Sequence, residues 1–188
     1  MNLIIFGPPG AGKGTQADYI VNKYNLYKLS TGEILRNEIK NKTDLGNKIE
    51  SIINSGSFVS DEIVKKLVEN IISNNQYKHR LIFDGYPRNL SQAKTLSELL
   101  SKHEQKIDLV LNLSVSLQTI KKRILERRDL EKRADDNEET ALKRFETYEK
   151  STEPVIEYYK KLNLLKVIDG ERSIDQINKE ISDIIASI

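Results

Sequence analysis

The sequence predicts an α/β protein built on a buried, mostly parallel sheet. Three observations carry this: several short apolar runs, longer intervening stretches with apolar residues at helical spacing, and a glycine-rich loop that directly follows one such run and precedes a helix. The first run, Leu3 to Phe6, is too short for an isolated helix and reads as a strand. Ala17, Ile20, Val21 and Tyr24 then repeat at helical spacing. A weaker strand follows at Tyr27 to Leu29, and residues 30–59 become polar and helical, punctuated by Gly32, Gly46 and Gly56. That change of composition predicts a small helical flap inserted after the second strand. Further strands are expected at Leu81 to Phe83, Leu109 to Leu113 and Leu164 to Ile168, which makes five.

Between the later strands, Leu117, Ile120 and Ile124 share a helical face, as do Leu142, Phe145 and Tyr148. Residues 128–136 separate these two helices and are almost wholly charged or polar, which predicts an exposed crossover loop able to cover a ligand. Ile174, Ile177, Ile181, Ile184, Ile185 and Ile188 form a C-terminal stripe able to shield one side of the sheet. The expected organisation is a core over 1–29, 60–127 and 137–188, a flap over 30–59 and a short lid over 128–136.

Composition excludes several chemistries. The 188-residue chain has no Cys and two His, so disulfides, thiolate metal sites, cysteine nucleophiles and multi-histidine centres are out. A net charge of +2, from 30 basic and 28 acidic residues, gives no case for a nucleic-acid partner. No stretch approaches the roughly 18 apolar residues of a membrane span. A cytoplasmic monomer, without membrane or nucleic-acid partners, is the expectation.

The strongest local signal is Gly7-Pro8-Pro9-Gly10-Ala11-Gly12-Lys13-Gly14-Thr15. Its glycines allow the backbone N–H groups to turn toward a phosphate, the following helix N-terminus adds donors, and Lys13 supplies a mobile charge. The strict phosphate-loop pattern has Ser or Thr directly after the lysine, whereas here Gly14 intervenes. Thr15 therefore has two readings, a helix cap or a contact to phosphate or magnesium-bound water. A second group, Asp84-Gly85-Tyr86-Pro87-Arg88, follows the strand at Leu81. Parallel sheets gather their strand C-termini at one crevice, so Asp84 is expected to approach the loop and orient magnesium or its waters, and Arg88 to pair with phosphate oxygens. Tyr86 is expected to pack. The third group is Arg123, Arg127, Arg133 and Arg144, of which the first two share a helix face. Several converging cations suit a reaction that spreads charge over phosphate oxygens. Asp135 and Asp136 fit either helix capping or pairing with those arginines.

These residues resemble the adenylate kinase family in its short-lid form, over essentially the whole chain. Further motifs that carry the resemblance are Ser30-Thr31-Gly32-Glu33-Ile34-Leu35-Arg36, Gln92, Arg133-Ala134-Asp135-Asp136-Asn137-Glu138-Glu139-Thr140, Arg144 and Thr152-Glu153-Pro154-Val155-Ile156. The resemblance implies a P-loop kinase fold with a five-stranded sheet, reversible transfer from ATP to AMP giving two ADP, and Mg2+ bound with ATP largely through water rather than at a protein metal site. It implies that Gly10, Ala11, Gly12, Lys13, Gly14 and Thr15 hold ATP with Arg123 and Arg127. It places Thr31, Arg36, Val59, Gly85, Arg88 and Gln92 around AMP, with Arg133 and Arg144 at the transferring phosphates. Lys13, Asp84, Arg88, Arg123, Arg133 and Arg144 are the implied catalytic set.

Three features depart from long-lid relatives: Glu126 stands before Arg127 where glycine is common, the long lid is missing, and the flap reads Gly56-Ser57-Phe58-Val59-Ser60. Two alternatives remain in view. UMP/CMP kinases commonly carry alanine and asparagine where this chain has Thr31 and Gln92, and a nucleotide-operated binding protein would keep the fold without turnover.

Overall fold

A computed structural model of the chain describes residues 1–131 and 138–188. The five expected strands are all present: β1 (Leu3–Phe6), β2 (Tyr27–Ser30), β3 (Leu81–Asp84), β4 (Leu109–Ser114) and β5 (Leu165–Asp169). They form one sheet in the order β2-β3-β1-β4-β5, and every pairing among them is parallel.

Alternation along β1 sends Ile4 and Phe6 to one face and Leu3 and Ile5 to the other, so the buried sheet has a core on each side. Helices α1 (Lys13–Tyr24) and α8 (Ile174–Ala186) cover the Leu3/Ile5 face through Ala17, Ile20, Ile177, Ile181 and Ile185. Ile174 and Ile188, at the two ends of the expected C-terminal stripe, are exposed. Helices α4 (Asp61–Ile72), α5 (Leu90–Lys102) and α7 (Glu138–Lys161) cover the other face. A satellite cluster of Ile120, Ile124, Ala141 and Phe145 joins α7 to α6 (Leu117–Glu131). Among the described residues no helix is long and apolar enough to cross a membrane.

Residues 31–54 contain α2 (Thr31–Lys40) and α3 (Asp44–Asn54). Thr43 caps α3 by accepting from the Gly46 N–H at 3.0 Å. Gly46 lies so close to α2 that a Cβ there would sit 2.1 Å from the Glu38 carbonyl oxygen. The polypeptide returns to the core through Gly56, where a Cβ would meet Thr140 and Arg144 of α7 at 3.0 and 3.1 Å.

The opposite, N-terminal end of the sheet is tied by a buried polar network. Asn2 is fully buried; its amide donates to Gln105 Oε1 and the Lys106 carbonyl, and its oxygen accepts from the Leu81 N–H. Asp108 accepts from the Asn2 N–H at 2.7 Å, and Gln105 Oε1 accepts from the His79 N–H. These bonds align β1, β3 and the start of β4 without using the cleft at the other end.

Candidate active site

Strand register explains how residues distant in the chain meet. Ile5 pairs with Asp84 across β1 and β3, and Ser30 pairs with Asp84 across β2 and β3. The loop that leaves β1 therefore emerges beside the carboxyl end of β3, with that of β2 one strand further out, at the crevice a parallel sheet provides. That loop is Gly7 to Gly12, with Gly10 and Gly12 at φ 84° and 93°. An L side chain is disfavoured at both positions. Gly12 precedes α1 without a side-chain cap on the helix, so the first-turn amides of α1 face the crevice uncapped by a side chain.

Lys13 folds back over the loop and donates to the carbonyls of Gly7 at 2.7 Å and Pro8 at 3.0 Å. Burial pulls its ammonium down to about 8; Asp84 opposes that shift, while Arg144, Arg88 and Arg127 add to it. Asp84 is buried and accepts from the Ser30 hydroxyl at 3.3 Å. No other acidic side chain is buried among the described residues.

Arg88 is held at its Nε, which donates to the Gly85 carbonyl at 2.7 Å, and its guanidinium lies 4.8 Å from the centre of the Phe58 ring. Burial pulls Arg88 down to about 10, Arg144 adds to the shift, Asp84 opposes it and Arg36 adds again. Two arginines thus press on a third in a poorly solvated place, an arrangement that an anion relieves. Thr31 donates to the same Gly85 carbonyl at 2.9 Å. Gly85, at φ 74°, has Arg88 Nη2 and Thr31 Oγ1 at 3.2 and 3.4 Å from where a Cβ would stand. Tyr86 is buried and donates to the Gln92 carbonyl, in line with its expected packing role.

Arg123 reaches from α6 to both sides of the phosphate loop's surroundings, donating to the Ala11 carbonyl at 3.3 Å and the Gly170 carbonyl at 2.9 Å. Glu171 steadies the start of α6 by accepting from the Ser116 N–H and the Thr119 hydroxyl at 2.6 Å each. These hydrogen bonds hold the Glu171 carboxyl down at about 2.

One cleft of about 710 Å³ collects these groups. Gly10, Gly12, Lys13, Gly14 and Thr15 line it from the loop; Thr31, Arg36 and Val59 line it from the flap side; Asp84, Gly85, Arg88 and Gln92 line it from β3 and α5; and Arg123, Arg127 and Arg144 line it from α6 and α7. Ala11 is buried behind the loop. Arg133, Asp135 and Asp136 lie outside the described residues. Sequence reasoning had given no part to Asp61, had read Tyr148 only as one of a packing stripe, and had named Thr152 only within a motif, with no contact assigned to it. Asp61 accepts from the Gln92 amide, Thr152 donates to the Arg88 carbonyl at 3.1 Å, and Tyr148 lines the cleft beside the loop. Asp61 has only the local signal of an acid in a helix first turn, and the other two are hidden in a long helix.

A family model described as adenylate kinase matches residues 5–164. The chain belongs to the adenylate kinase family. It is similar to the adenylate kinase of Pelagibacter ubique, 46% identical over 98% of this chain and 99% of that one. It is also similar to those of Azobacteroides pseudotrichonymphae, 42% identical over 100% and 98%, and Fusobacterium nucleatum, 41% identical over 98% and 98%. The Pelagibacter alignment spans 211 positions against a chain of 188, so that relative carries residues with no counterpart here. The chain is thus a nucleoside monophosphate kinase, and its reaction is ATP + AMP = 2 ADP.

Proposed function

We propose that this adenylate kinase works by holding ATP on the Gly10–Thr15 loop and AMP under the flap, with both phosphate chains meeting at Lys13, Arg88, Arg123, Arg133 and Arg144. The observation that supports it is the gathering of Lys13, Arg36, Arg88, Arg123, Arg127 and Arg144 with Asp84 around one cleft at the strand C-termini. On this reading an AMP phosphate oxygen forms a bond to the γ-phosphorus of ATP as the bond from that phosphorus to the β,γ-bridging oxygen breaks. The acceptor is already an anion, so no general base is needed. The demands are alignment, charge neutralisation and exclusion of water.

Within this scheme Arg127 lies toward the ATP base, Arg36 and Arg88 clamp the AMP phosphate, and Thr31, Val59, Gly85 and Gln92 surround its adenine. Residues 30–59 act as the AMP flap and 128–136 as a short lid, against a core of 1–29, 60–127 and 137–188. The alignment that exceeds this chain's length supports the short-lid form.

Mg2+ is the cofactor this family generally uses with ATP. Among the described residues no group of three or more His, Cys, Asp or Glu is gathered. Asp84, the one buried carboxylate among the described residues, fits a cation held mainly by phosphate and water, whose waters it would orient, with Thr15 as a further contact. Bound there, the cation would supply neutralisation of phosphate charge. The same proposal takes the enzyme to be a monomer acting in the cytoplasm, with ATP, AMP and ADP as its partners and neither nucleic acid nor membrane among them.

Incubating the protein with Mg-ATP and each of AMP, GMP, UMP and CMP, then quantifying all products, tests acceptor choice; AMP is expected to dominate. Asp84→Asn is expected to retain most nucleotide affinity while lowering the rate and flattening its magnesium dependence. A magnesium titration identical to the parent's removes Asp84 from the mechanism.

A further inference from the structure

The Gln92 side chain is held from two sides. Its Oε1 accepts from the Arg88 backbone N–H at 2.7 Å, and its Nε2 donates to Asp61 Oδ1 at 2.7 Å. Asn89 closes a triangle: its amide donates to both Asp61 oxygens at 3.2 Å, and its own oxygen caps α5 by accepting from the Gln92 N–H at 2.8 Å. A backbone N–H can only donate and a carboxylate can only accept, so both neighbours impose the same orientation on the amide. Turning it over would set an N–H against an N–H and an oxygen against a carboxylate.

After these two bonds the amide retains one carbonyl lone pair and one N–H. Adenine presents the matching pair, an amino donor at C6 beside a ring-nitrogen acceptor. A 6-oxopurine reverses that order on its Watson–Crick edge, with a carbonyl acceptor beside a ring N–H donor. It would need the amide turned over.

We propose that Asp61 is a specificity-positioning residue, which with the Arg88 N–H locks Gln92 in the orientation that accepts a 6-aminopurine and rejects a 6-oxopurine monophosphate. The inference rests on the reading that Gln92 contacts the acceptor base. Asp61 itself stands at the start of α4, outside the cleft lining, and acts only through the amide.

Replacing the carboxylate by an amide removes one of the two one-way constraints and leaves that of the Arg88 N–H, because an asparagine can donate to Oε1 as readily as it accepts from Nε2. Steady-state kinetics with AMP and with IMP, at saturating Mg-ATP, give the test for the parent, Asp61→Asn, Asp61→Glu and Gln92→Ala, with melting temperatures measured alongside. For Asp61→Asn the expected result is an AMP KM raised about fivefold, kcat within about twofold, and a ratio of IMP to AMP specificity constants raised about tenfold. Asp61→Glu keeps an acceptor-only group and is expected to hold the parental ratio. A lower melting temperature with an unchanged ratio would mean that Asp61 merely starts its helix, and so overturns the proposal. A Glu variant as permissive as the Asn variant overturns it as well. If Gln92→Ala raises the AMP KM while Asp61→Asn alters neither KM nor ratio, only the Asp61 inference fails. If Gln92→Ala leaves the AMP KM unchanged, the base-contact reading fails and takes this inference with it.

Discussion

Lys13 shows how the fold and the reaction pull one residue in opposite directions. Its ammonium is desolvated in the free enzyme and its proton is lost at about pH 8, below the ordinary lysine value of 10.5. Between those values the unfolded chain binds more protons than the folded one, so this group's contribution makes the fold more stable as pH rises through the window. Phosphate binding by Lys13, as proposed above, needs the protonated form. We therefore expect kcat/KM for ATP to fall about tenfold per pH unit above about 8, while the melting temperature does not follow it down. A pH profile of both quantities decides. Lys13→Ala is expected to lower kcat/KM by roughly 10²- to 10³-fold, as for removal of a donor aimed at developing charge. Its melting temperature should move by only a few degrees, because the lost bonds to Gly7 and Pro8 are offset by relief of a buried charge. The phosphate loop, Asp84 and Arg88 were legible as isolated motifs. The contacts that orient them were not: Phe58 under Arg88, Thr152 on its carbonyl and Gly170 behind Arg123 join residues far apart in the chain, and none belongs to a periodic pattern.

At the scale of elements, the flap depends on how closely α2 and α3 approach. Gly46 is where they touch, and the obstacle to a side chain there is the backbone of α2, which cannot rotate aside. Gly46→Ala is expected to destabilise the α2–α3 pair by about 3 kcal/mol. If the flap binds AMP as proposed, this variant raises the AMP KM at least fivefold and leaves the ATP KM near the parent's; equal rises in both would count against separate sites. The strands were readable to within about one residue, since short apolar runs bounded by polar segments have few other uses in a chain of this composition. Helices α4 and α5 were harder to single out. Their apolar residues, such as Val64, Val68, Ala93 and Leu96, pack against a sheet whose position the local sequence does not encode.

The whole molecule divides its work between the two ends of the sheet. Strand order was beyond sequence reasoning, because apolar runs of similar length do not say which neighbours they take; placing β1 between β3 and β4 is what unites loop, Asp84 and arginines. The faces of the sheet, by contrast, serve stability. Ile181 is fully buried on the α8 side, away from the cleft lining, and Ile181→Ala should cost about 2–5 kcal/mol. That corresponds to a fall in melting temperature of roughly 4–20 °C. The KM values for both nucleotides should stay within about twofold at temperatures where the variant is folded, which calorimetry beside steady-state kinetics would check. The polar ties around Asn2, at the end of the sheet opposite the cleft, carry this division further. Heat tolerance and turnover are therefore expected to be separately adjustable in this enzyme: substitutions around Asn2, Gln105 and Asp108 should shift its working temperature range while the opposite rim, where the proposal puts acceptor choice, is left alone.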